Sequence, residues 1–110
     1  SLEDDIKKSE EIKQLIKKVE IIKNNLSGPK IDVLLEKLNK NPDNINLIIE
    51  ISDKYFATQE YEKGMGLLLM HYPKNKEIVK NKMIEFFNVL GSSNEHTIYF
   101  RKKLSQIMFS

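Results

Sequence analysis

The sequence predicts an all-α domain, an antiparallel array of about six helices, and three observations predict it. Apolar residues recur at steps of three and four in the long segments. Breaks rich in Pro, Gly, Ser and Asn cut the chain at helix-length intervals, and no β-α alternation interrupts them. The 110 residues suffice for one core that folds without a disulfide or a metal. Cysteine is absent, which excludes a disulfide framework, a zinc–thiolate site and a cysteine nucleophile.

The first helix is expected over residues 2–26. Its stripe of Ile12, Leu15, Val19, Ile22 and Leu26 marks one apolar face, and acids at its start with lysines towards its end suit the helix dipole. Gly28 lies near its C-cap and Pro29 bars continuation. A short helix over 30–40 follows, carrying Ile31, Leu34, Leu35 and Leu38. The third, over 42–57, takes Asn41 as N-cap and Pro42 as first helical residue. It buries Ile45, Ile48, Ile51 and Tyr55, with Ile49 and Phe56 beside them.

The fourth helix, over 60–72, is apolar from Leu67 to Met70 and is therefore expected at the centre, contacted on several sides. The run has no β-branched residue, which favours helix over a buried strand. The fifth, over 75–90, presents Ile78, Val79, Met83, Phe86, Phe87 and Leu90, and Gly91 stops it. Ser92 and Glu95 form a capping box for the sixth, over 93–109, whose core residues are Ile98, Tyr99, Leu104, Ile107 and Met108.

One segment carries a helical repeat. With Ile45 as first position, Ile48, Ile51, Ser52 and Tyr55, then Tyr61, Gly64 and Leu68, fall on the large, small and aromatic positions of a tetratricopeptide repeat. Ser52 and Gly64 are expected to let two helices approach closely. The flanking segments repeat this pattern only in degenerate form. From Leu38 to Phe109 the chain resembles a particular family. NPDN, YEKGMGLLL and MIEFFNVLGSSNEHTIYFRKKLSQIMF are similar to the C-terminal tetratricopeptide-like domain of bacterial thioredoxin-fold co-chaperones, the chaperedoxins. The resemblance implies a module that holds unfolded or oxidation-damaged clients, or hands them to chaperones. It also implies an N-terminal thioredoxin-like domain of the same protein, which residues 1–110 do not include. Residues 1–27 are then a connecting helix and 28–110 the helical domain. Gly64 and Gly66 depart from the family pattern, in which alanines or larger helix formers are usual.

Functional residues are sparse. His71 and His96 have no second ligand at metal spacing, no Gly-x-Ser-x-Gly elbow occurs, and Gly64-x-Gly66 lies inside a helix rather than after a strand. No enzymatic activity, cofactor or metal is expected. Two groups are candidates for partner binding. Asn46, Glu50 and Asp53 line the inner face of the repeat, where two acids among three disfavour a clamp for an acidic peptide. Arg101, Lys102 and Lys103 form the compact basic cluster, with Arg101 supplying a planar fork for a carboxylate.

A net charge of +2 is too balanced for a nucleic-acid partner, and no apolar run reaches membrane length. The charged first residues lack the features of a signal or transit peptide, and the expected compartment is the cytoplasm. The alternative function is oligomerisation or linkage through the first helix, as a homodimer. Five apolar positions over two heptads fall short of a usual coiled coil, so this helix is expected to pack back onto the second and third.

Overall fold

A computed structural model of the chain describes residues 1–110. Six helices form: α1 (Leu2–Leu26), α2 (Ile31–Lys40), α3 (Ile45–Ala57), α4 (Tyr61–Met70), α5 (Lys76–Leu90) and α6 (Glu95–Met108), with a single 3₁₀ turn at Tyr72–Lys74. No strand is present. The all-α expectation holds, and the corrections lie at helix ends and in which faces are buried.

Helix α3 starts at Ile45, three residues later than expected. Asn41 closes α2 instead, its N–H donating to the carbonyls of Lys37 and Leu38. Asn41 to Asn44 then make a turn held by Asn44 N–H to the Asn41 carbonyl at 3.1 Å. The physical reason is that proline's fixed φ serves the second position of a turn as well as the first position of a helix. Asn44 is the true cap, its Oδ1 accepting from Leu47 N–H at 3.2 Å. The Ser92–Glu95 capping box likewise gives way to a turn, and Asn94 caps α6 by accepting from His96 N–H at 2.8 Å. Helix α4 ends at Met70 rather than 72 because the 3₁₀ turn takes up Tyr72 and Pro73.

Helices α3 and α4 form the repeat unit. A Cβ placed on Gly64 would lie 3.1 Å from the Ser52 carbonyl oxygen and 3.3 Å from Tyr55 Cβ, so the small residues do set a tight crossing. At Gly66 an added Cβ would meet nothing within 4 Å. Helices α5 and α6 form a second pair, and Phe56 of α3 stacks on Phe86 of α5 at 4.4 Å between ring centres, joining the two. Helix α4 contacts α3, α5 and α6 and buries Met65 and Leu68, but Met70 is 75% exposed. Gly91 ends α5 with φ +92°, a conformation that suits glycine, and its N–H donates to the Phe87 carbonyl at 2.8 Å.

Two apolar faces are turned differently from expectation. On α6, Thr97, Phe100 and Leu104 are buried while Ile98 and Tyr99 are exposed. Their adjacency made either register fit the period, and the partner α5 selects the one centred on Phe100. On α1 the reversal is larger. The helix does pack back, but against α3 and α5 rather than α2 and α3, and it does so through Gln14, Lys18, Ile21 and Asn25, of which only Ile21 is fully buried. Most of the expected stripe faces outward: Ile12, Leu15, Val19 and Leu26 are 52% to 80% exposed, and only Ile22 is half-buried. Residues 1–13 touch the body so little that all of them are exposed. This overhang accounts for a radius of gyration of 15.0 Å, against about 13 Å for a compact chain of this length.

Candidate protein-binding surfaces

Helix α1 lies against α3 and α5, which are joined to each other by the Phe56–Phe86 stack. Asn46 and Glu50 stand exposed on α3, one turn apart. Asp53, one turn further on, is turned instead into the contact between helices. Its Oδ1 pairs with Lys82 of α5, Lys82 also reaches Glu85 at 3.1 Å, and Glu85 reaches Lys17 of α1 at 3.6 Å. Burial pushes the Asp53 carboxyl above the usual range, and the Lys82 ammonium opposes that rise without cancelling it. The three residues are therefore not one open strip: two face solvent, and the third ties α3, α5 and α1 together. Beside them a shallow hollow of about 290 Å³ remains, lined by Ile49, Ile78, Asn81, Lys82 and Glu85.

Buried Lys54 holds α1 from the other side, its ammonium donating to the carbonyls of Asn25 at 3.3 Å and Ser27 at 3.5 Å. Those groups end α1 and lack helical partners, so a lysine from α3 supplies the satisfaction that a local cap would otherwise provide.

The cationic group on α6 fans out, because consecutive helical residues point about 100° apart. Lys102 is exposed. Lys103 lies over the Tyr99 ring, 5.5 Å from its centre. Arg101 lies over Phe87 of α5 at 5.5 Å, where the guanidinium gains from the ring's negative face. That position puts Arg101 at the mouth of a cleft of about 410 Å³ between α5 and α6, with Ile84, Phe87, Leu104, Met108 and Phe109 as its apolar lining and Lys80 also beside it. Lys80 is held only loosely, 3.8 Å from an exposed Glu77. The cleft is large enough for a bulky apolar side chain, and its two cations can meet a carboxylate next to it.

Sequence reasoning missed Lys80, Ile84 and Phe87 as one wall. The signal was their spacing of four and three, which places them on one face of α5 beside the stripe that fills the core. For catalysis the surface offers little: His96 packs against Tyr61 with ring centres 5.4 Å apart, and no three His, Cys, Asp or Glu side chains gather as metal ligands. No helix is long and apolar enough to cross a membrane.

The family model described as tetratricopeptide repeat matches residues 24–109. It therefore begins at the end of α1 and takes in every later helix. No curated protein and no solved structure matches the chain.

Proposed function

Because the chain belongs to the tetratricopeptide repeat family, whose members mediate protein–protein interaction, we propose that it docks an acidic, apolar segment of a client protein or chaperone in the cleft between α5 and α6. The observation that carries this reading is the pairing of chemistries there: an apolar lining of Ile84, Phe87, Leu104 and Met108 with Arg101 and Lys80 beside it. An apolar side chain entering the cleft desolvates the Arg101 fork, and a carboxylate beside that side chain restores its hydrogen bonds. Lys102 and Lys103 contribute at longer range by attracting the acidic segment. The α3 strip of Asn46, Glu50 and Asp53 is the weaker candidate, since Asp53 is spent on Lys82.

The sequence resemblance supports the finer reading. The domain is the C-terminal module of a cytoplasmic thioredoxin-like co-chaperone, has no chemistry of its own, and is joined through residues 1–27 to a thioredoxin-like domain. The reading frame ahead of Ser1 tests that part, since an unrelated domain there removes it.

Docking is tested with a labelled peptide in which a phenylalanine is flanked by glutamates. Lys80→Glu/Arg101→Glu is expected to weaken capture by a factor of ten or more, the equivalent of roughly 1.4 kcal/mol; Arg101 is exposed and Lys80 about one-third exposed, so a thermal melt of the variant is the control that the fold is intact. Equal binding by parent and variant removes the cleft as the site. Binding to the parent that an alanine in place of the phenylalanine leaves intact removes the apolar half of the argument.

A further inference from the structure

Half of the exposed large apolar side chains of the whole chain lie on α1: Leu2, Ile6, Ile12, Leu15, Ile16, Val19 and Leu26. At about 100° per residue Ile12, Leu15, Ile16, Val19 and Leu26 share one arc, on the side away from the contact made by Gln14, Lys18, Ile21 and Asn25, with Leu2 and Ile6 further round the helix. An exposed apolar stripe of this kind marks an interface. We infer that its occupant is α1 of a second copy of this chain, lying antiparallel. The inference stands apart from the cleft reading and uses none of its residues.

The orientation follows from charge. In the first eleven residues Glu3, Asp4, Asp5, Glu10 and Glu11 outweigh Lys7 and Lys8, whereas in the rest of α1 Lys13, Lys17, Lys18 and Lys23 outweigh Glu20. Two antiparallel copies set the acidic half of each against the basic half of the other. A parallel pair sets like against like along its whole length. The same arrangement gives the overhang a place. Residues 1–9 have no cover from their own body, Glu10 and Lys13 bordering a hollow beside Gly91 and Arg101, and in the antiparallel pair these first turns lie along the other copy's second half, with Leu2 near Leu26.

The area suits a weak pair. A helix of 25 residues is about 37 Å long. The five apolar side chains of the shared arc from each copy, at roughly 90 Å² apiece, give about 900 Å², below the 1,200 Å² or so of standard specific pairs. The pair is therefore expected to dissociate on dilution.

Light scattering on the full chain across a dilution series tests the pairing. The expected result is twice the chain mass at high concentration, falling towards one on dilution. Leu15→Glu/Val19→Glu should then remain monomeric at every concentration with an unchanged melt, since both side chains are more than half exposed. A monomeric parent throughout overturns the inference and leaves the stripe to another domain or partner, as does a dimer that the double variant leaves intact. Orientation is read by disulfide trapping, which is clean because the chain has no cysteine of its own. Mixed Ser9→Cys and Val19→Cys chains, both positions exposed and on the stripe's side of α1, should give the mixed disulfide under mild oxidation. Only like-with-like disulfides would mean a parallel pair and overturn the antiparallel assignment.

Discussion

Ser52 and Gly64 show what a single atom decides in this protein. The Ser52 carbonyl oxygen lies 3.1 Å from where a Gly64 Cβ would be, and a backbone oxygen cannot swing aside as a side chain can. Gly64→Leu should lower stability by about 1–3 kcal/mol through overpacking. Gly66→Ala should raise it by about 0.5–1 kcal/mol, since helix propensity is gained and nothing is struck. Paired thermal melts check both, and equal shifts would remove the crossing argument. Asp53 gives the pH-dependent counterpart. Its carboxyl is raised in the fold, so the folded state holds that proton more tightly than the unfolded one, and this group favours folding more as pH falls through its raised value towards 3.8. Asp53→Asn, which resembles the neutral form, should leave stability at pH 7 within about 1 kcal/mol of the parent. The parent should gain on the variant on acidification. Denaturant midpoints of the two chains at pH 7 and pH 4 measure this, and a parent that loses ground in acid reverses the sign. The tight crossing was legible in the sequence because small residues at repeat positions imply it. The burial of Asp53 was not, because a carboxylate on a polar strip looks the same from the sequence whether a lysine from another helix or solvent will face it.

At the scale of the element, the existence and order of all six helices were readable, and so was the extent of α1, expected over 2–26 and found at Leu2–Leu26. What escaped was the choice between two asparagines. Asn41 and Asn44 flank the same proline, and both are good caps. The structure selects Asn44 because a turn over 41–44 directs α3 back along α2. Asn44→Ala should therefore cost about 1 kcal/mol, whereas Asn41→Ala, whose cap contact is a backbone N–H, should cost well under half of that. Chemical denaturation of the two variants separates them, and the reverse order would restore the earlier helix start. The buried faces of α1 and α6 were misjudged for one shared reason. Periodicity finds an apolar stripe but not its partner, and on α1 the partner α3–α5 surface meets the side marked by Ile21 while the richer stripe is left in solvent. The candidate site was legible only in part. Arg101 stood out by charge, but Lys80, Ile84 and Phe87 become a wall only when α6 lies beside α5.

The whole molecule measures 54 × 38 × 20 Å, a slab one helix pair deep with a bar across it. Its held and free ends differ sharply. Lys54 and Ile21 fasten α1 near its C-terminal end, on the helix that carries Ser52 at the crossing with α4, and residues 1–9 hang clear. Mechanically this is a lever. The fulcrum is the Lys54 grip on Asn25, and the arm from there to Leu2 extends about 35 Å at 1.5 Å per residue, so a tilt of about 10° at the grip sweeps the tip through about 6 Å. A pull on Leu2 thus arrives multiplied at α3, as a torque on the turn of helix that sets the spacing of the repeat.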